Sequence, residues 1–133
     1  YIVGGKVIGA MNRYAPNGDW RTNVSLGGEI ENGEGILTKE LEEISIKSAE
    51  ILGLDYAGVD IVEGEDGWKV LEVNPTAGFR GLYKATGICA APHIAELAIT
   101  KAGGSIDQEK VEKLAMYFDD SDPESKSVKI RPA

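Results

Sequence analysis

The chain is poor in several things that carry function elsewhere. It holds one cysteine, Cys89, so no disulfide can close within it, and a reducing cytoplasm suits it. Cys89 lies among small apolar residues with no basic neighbour to draw off its proton, which marks a packed thiol rather than a nucleophile. Positive charge is scarce as well: 14 Lys and Arg stand against 22 Asp and Glu, a net charge of −8. With no basic stripe, binding to a nucleic-acid backbone is excluded. No apolar run approaches membrane-spanning length, and the N-terminus lacks the layout of a signal peptide. There is no initiator methionine. The chain opens at Tyr1-Ile-Val-Gly-Gly5 as if already inside a strand, so the expectation is a piece of something longer. Its 133 residues suffice for one domain with a sizeable core.

What is present is more pointed. Ala57-Gly-Val-Asp-Ile-Val62 and Val70-Leu-Glu-Val-Asn-Pro75 read as buried strands, yet they carry Asp60, Glu72 and Asn74. Burying carboxylates without partners costs several kcal/mol, on the order of what one damaging mutation removes. Hard cations such as Mg²⁺ take oxygen ligands of this kind. Side chains alternate along a strand, so Ala57, Val59 and Ile61 form one apolar row, which Leu71 and Val73 continue on the second strand. Asp60, Glu72 and Asn74 fall on the opposite face, together with Tyr56, Val62 and Val70. Between the strands, Gly64-Glu-Asp-Gly-Trp68 carries the Asp-Gly signal of a hairpin. A three-residue loop, Glu65 to Gly67 with Gly67 left-handed, pairs Gly64 with Trp68 and sets Asp60 opposite Glu72. A two-residue loop breaks both rows. The bland reading is two acids on a wet sheet face. Against it, like charges placed opposite each other repel unless a cation lies between them.

The rest of the chain predicts an α+β domain. Tyr1 to Val3 and Lys6 to Arg13 read as strands about a tight Gly4-Gly5 turn. Asn17-Gly18 turns the chain, Asp19 to Leu26 is extended, and Gly27 to Gly35 is a loop. Thr38 is the expected N-cap of a helix to Leu52 with Leu41, Ile44, Ser48, Ile51 and Leu52 inward and Gly53 at its end. Asn74 to Gly81 is a loop. A second helix spans Ala90 to Lys101, with Pro92 in its first turn and Ile94, Leu97 and Ala98 inward. A third spans Asp107 to Phe118, and Asp119 to Ala133 is a linker or tail.

Gly58-Val-Asp60, Leu71-Glu-Val-Asn74-Pro and Thr86-Gly-Ile88 resemble the C-terminal part of an ATP-grasp ligase. Gly9-Ala-Met-Asn-Arg13, Asp19-Trp-Arg-Thr-Asn23 and Gly27-Gly28 are similar to the RimK-type group, which joins amino acids to proteins, carrier proteins or small molecules. The resemblance covers residues 1–102, leaving 103–118 as an additional helix and 119–133 as tail. It implies the C-terminal subdomain of that fold, an antiparallel sheet packed with helices. By motif it assigns Asp60, Glu72 and Asn74 to Mg²⁺ or Mn²⁺ bridging the phosphates of ATP. Arg13 and Arg21 become catalytic, and Asn23 binds the phosphates or the activated acyl group. The implied reaction phosphorylates a carboxylate, and an amine acceptor then displaces the phosphate to give an amide, a cytoplasmic ligase activity. The implied partners are ATP, an amino-acid or carboxylate substrate, the amine acceptor, and the N-terminal and central subdomains that 133 residues cannot hold.

Guanidinium groups suit that role, since each offers two parallel donors to a phosphate. Arg13 ends one strand and Arg21 lies in the next, so both can reach one cleft; the bland reading of each is a surface ion pair. Arg80 and Lys84 either orient an acidic substrate or lie in a solvated loop, which Phe79 and Gly81 shape. His93, the single histidine, is expected to be structural, and Trp20 and Trp68 to pack. The resemblance departs at Leu26, where many RimK-type sequences carry a basic residue associated with an acidic substrate, so the added amino acid stays open. Two other classes compete with the ligase: a non-catalytic assembly module that keeps the fold, and a plain divalent-cation site indifferent to nucleotide.

Overall fold

A computed structural model describes residues 1–15 and 29–110. In chain order the elements are strands β1 (Ile2–Val3), β2 (Lys6–Val7), β3 (Met11–Tyr14) and β4 (Glu29–Asn32), helix α1 (Lys39–Ile51), strands β5 (Tyr56–Gly64) and β6 (Gly67–Asn74), and helices α2 (Arg80–Thr86) and α3 (Ala90–Lys101). A 3-10 turn, Glu34–Ile36, precedes α1. The strands form an antiparallel sheet in the order β2-β1-β5-β6, and β3 with β4 forms a separate ribbon.

Side chains alternate along β1 and the start of β5, so the main sheet buries residues on both of its faces there. Ile2 and Ala57 point to one side and pack with Ala49 of α1, where Ile46, Leu54, Val59 and Val73 complete the cluster. Val3 points to the other side, where Leu82 of α2, Ile88 and Ala90 meet Ile8. Ile94 and Leu97 of α3 close this second cluster. Ile2 and Leu82 are the largest side chains fully removed from water. The β1–β2 hairpin is as tight as its sequence predicts, with Gly4 and Gly5 at φ 58° and 74° between Val3 and its partner Lys6.

Several expectations need correction. Lys6 to Arg13 is two strands, not one: the chain leaves the main sheet at Ile8–Ala10 and enters the ribbon. Gly9 is buried there because any side chain would meet Leu82 and Ile88. Glu29 to Asn32, expected as loop, is β4. It pairs with β3 from Met11↔Asn32 to Tyr14↔Glu29, a tertiary pairing that Gly- and Glu-rich composition does not advertise. Asp19 to Leu26 and the Asn17-Gly18 turn lie outside the described residues.

Thr38 does cap α1, its Oγ1 accepting from the Leu41 N–H at 3.3 Å. The helix is turned differently from the expected stripe: Leu41 and Ala49 are buried, whereas Ile51 and Leu52 lie 75% and 57% exposed at its end, beyond any described residue that could cover them. In α3, Ile94 and Leu97 face the core and Ala98 faces solvent. The loop after Asn74 ends earlier than expected, since α2 begins at Arg80. Asp107 starts the expected third helix by accepting from the Lys110 N–H, and its remainder lies outside the described residues.

The hairpin between β5 and β6 gives the most instructive correction. Its loop has two residues, with Gly64 paired to Gly67 rather than to Trp68. Ile61 faces Val70, and the register then shifts so that Asp60 faces Glu72. Leu71 is the surplus residue of a β-bulge. The expected carboxylate pairing is therefore present, reached through a bulge instead of a longer turn. The shift puts Val70 on the Ile61 face and drives Leu71, expected inward, to 70% exposure.

Candidate functional site

Asp60 and Glu72 are directly opposed across the hairpin, and Asn74 is opposite Gly58, two positions along. Cross-strand partners share a face, so the three oxygen-bearing side chains project to the same side of the sheet. They are less buried than apolar strands predict. Among the described residues no polar side chain is fully buried, Asp60 is half-buried and Glu72 is exposed. The reason is position: no described strand lies outside β6 in the sheet. Water can therefore reach Glu72.

Arg13 comes from β3 of the ribbon and donates from its Nη2 to Asp60 Oδ2. A positive group thus lies against the acid that faces Glu72, which offsets the repulsion between two like charges in a cross-strand pair. Among the described residues no three His, Cys, Asp or Glu side chains converge. The donor set is two carboxylates and one carboxamide, all oxygen, which is the chemistry a hard divalent cation selects. Asn74 is ordered before any cation is considered: its Oδ1 accepts from the Thr76 N–H at 2.9 Å and from the Thr76 hydroxyl at 3.3 Å.

A cavity of about 470 Å³ opens beside this cluster, with Arg13, Asp60 and Asn74 among its polar walls and Leu37, Leu41 and Trp68 among its apolar ones. It exists because β1 is so short. On β5, β1 pairs only with Tyr56 and Ala57, so from Gly58 onward that edge of β5 meets no described strand. Glu72 and Arg80 do not line it; Arg80 is exposed at the start of α2, and Lys84 is exposed on that helix. Arg21, Asn23, Trp20 and Leu26 lie outside the described residues. Trp68 is half-buried against the cavity. His93, expected to be structural, has its Nε2 buried with no hydrogen-bond partner, and burial pushes its pKa below the ordinary value.

Sequence reasoning missed how the turn after Asn74 is held. Tyr56 Oη donates to the Ala77 carbonyl, and Tyr1 Oη donates to the Gly78 carbonyl at 2.7 Å. Burial raises both phenol pKa values, so each stays a donor at neutral pH. At Gly58, an added Cβ would stand 2.6 Å from the Ala77 Cβ. The signal was available: a glycine inside an otherwise regular strand marks close approach of another segment.

With this geometry in place, comparison with known proteins is decisive for ancestry. Residues 1–98 match the RimK-like ATP-grasp domain. The chain belongs to that family. It is 42% identical over 99 residues to the tetrahydromethanopterin:alpha-L-glutamate ligase of Methanocaldococcus jannaschii, covering 74% of the chain and 33% of that protein. It is 41% identical over 103 residues to a probable alpha-L-glutamate ligase of Methanococcoides burtonii, covering 77% and 33%. A probable alpha-L-glutamate ligase of Xylella fastidiosa is 37% identical over 112 residues, covering 81% and 36%. The chain thus spans about a third of the length of these curated relatives. Its antiparallel sheets packed with helices fit the RimK-like ATP-grasp domain, and no described helix is long and apolar enough to cross a membrane.

Proposed function

We propose that the chain is the metal- and phosphate-binding part of an ATP-dependent carboxylate–amine ligase. The observation that carries the reading is the cross-strand pair Asp60 and Glu72, with Asn74 on the same face and Arg13 held on Asp60. The relatives' names supply the reaction class. A carboxylate oxygen of the substrate attacks the γ-phosphorus of ATP and ADP leaves. An amine then attacks the acyl-phosphate carbon, an amide forms, and phosphate departs.

In this reading Asp60, Glu72 and Asn74 hold Mg²⁺ or Mn²⁺. When bound, the cation neutralises charge on the phosphate oxygens during phosphoryl transfer. Arg13, held on Asp60 from the ribbon side, supplies a second positive group for the transferred phosphate or acyl oxygen. Arg21 and Asn23 are assigned to phosphate and acyl group by motif, and Arg80 to an acidic substrate by its place after the Asn74 loop. The cavity's mixed walls suit a ligand with one charged end and one apolar end. The net charge of −8 is no obstacle, since positive charge is needed only locally. The remaining two thirds of the relatives' length is where the rest of the nucleotide site is expected, so turnover is proposed for the complete protein.

The test is calorimetric titration of the chain with ADP, with and without Mn²⁺, beside Glu72→Gln and Asp60→Asn. Nucleotide binding that requires the cation and is lost in both variants supports the ligase reading. Cation binding unaffected by nucleotide would leave a plain metal site, and intact nucleotide binding in both variants would remove these residues from the machinery.

A further inference from the structure

We infer that Tyr56 is a positioning residue for the cation site: its phenol ties the turn that follows Asn74 to the strand that carries Asp60. The inference rests on the ligand assignment above and adds a residue to it. Three consecutive positions on one face of β5 serve the same purpose. Tyr56 donates to the Ala77 carbonyl. Gly58 leaves the space that the Ala77 side chain occupies. Asp60 is itself the proposed ligand. From the neighbouring chain segment, Tyr1 donates to the next carbonyl along, at Gly78.

The turn is fixed at both ends as a result. At its start Asn74 is held by the ladder opposite Gly58 and by its own bond to Thr76. At its end, two successive carbonyls are gripped by phenols. Packing of two aromatic rings would account for neither hydroxyl, whereas clamping this turn uses both. The phenol bonds thus limit how far the turn, and with it the Thr76 partner of the Asn74 carboxamide, can move away from β5.

Cations differ in how much such rigidity matters. Mg²⁺ demands near-octahedral oxygen ligands at about 2.0–2.1 Å, while Ca²⁺ tolerates six to eight ligands at about 2.3–2.6 Å in irregular arrangements. A clamp that fixes Asn74 against Asp60 favours the smaller ion, and releasing it costs Mg²⁺ more than Ca²⁺.

The experiment is Tyr56→Phe in the full chain, with Mg²⁺ and Ca²⁺ affinities measured by displacement of Mn²⁺ in electron paramagnetic resonance at fixed ADP. Mg²⁺ binding is expected to weaken about tenfold, the usual scale for groups that orient metal ligands. Ca²⁺ should weaken by less than about twofold, since its shell accommodates displaced ligands. Tyr1→Phe should act in the same direction, and it decides the matter if Tyr56→Phe does not fold. Tyr14→Phe, which removes a hydroxyl from an exposed ring, should change neither ion. Equal weakening of both ions, or no change in either, overturns the inference. If the unaltered chain binds no cation, or Asp60→Asn still binds it, the ligand assignment fails and the inference with it. If binding depends on Asp60 and Glu72 but the Mg²⁺ to Ca²⁺ ratio survives Tyr56→Phe, the inference alone fails.

Discussion

Gly58→Ala is a one-carbon change whose effect can be worked out in advance. The new Cβ would sit 2.6 Å from the Cβ of Ala77. Ala77 has no flexible end to swing aside, so the backbone of the turn must retreat by about 0.8 Å to restore ordinary contact, the kind of overpacking that costs about 1–3 kcal/mol. A loss of about 1–3 kcal/mol is a large share of the ~5–15 kcal/mol that holds a domain together. Urea unfolding of the chain should show a lower midpoint with an unchanged slope. Gly35→Ala is the control, because nothing lies within 4 Å of a Cβ there and its backbone is not left-handed; it should stay within about 0.5 kcal/mol. Adding Ala77→Gly to Gly58→Ala should restore most of the loss, with a coupling of about 1–2 kcal/mol. A Gly58→Ala chain as stable as the original, or a loss that Ala77→Gly fails to relieve, would refute the close approach.

Two further outcomes follow from burial. Leu82→Ala, at a side chain with no exposure, should cost about 2–5 kcal/mol in thermal or chemical unfolding, whereas Leu71→Ala at the bulge should cost under about 0.5 kcal/mol. His93 makes stability depend on pH. Burial lowers its folded-state pKa below the ordinary 6.5, with Glu96 opposing, so the unfolded chain binds the extra proton first. Its contribution is fully present above pH 6.5 and is lost as pH falls through the lowered folded-state value. Urea midpoints between pH 5 and 8 should therefore drop less at the acid end in His93→Gln than in the unaltered chain.

Local signals made much of the fold readable. The Thr38 cap, the Gly4-Gly5 turn and the α3 boundaries all follow from spacing within a few residues, and the face shared by Asp60, Glu72 and Asn74 follows from strand alternation across one hairpin. What escaped depends on distant partners. β4 forms because β3 is beside it, and α2 is too short to carry a periodic stripe. The bulge at Leu71 could not be separated from a longer turn, since either one supplies the single extra residue that puts Asp60 opposite Glu72. The carboxylates are wetter than their apolar neighbours imply, because exposure at a sheet edge is set by what lies alongside. Arg13 was singled out, but its partner was not: the ion pair joins residues 47 apart in the chain.

The displaced register has a practical side for anyone building on this domain. The two-residue tip, Glu65 and Asp66, is exposed, and the irregular step at Leu71 stands between it and the paired acids like an expansion joint between two spans. The tip is thus the place to graft a fluorophore or an affinity handle, several rungs from Asp60 and Glu72, where a reporter can follow the site without touching it.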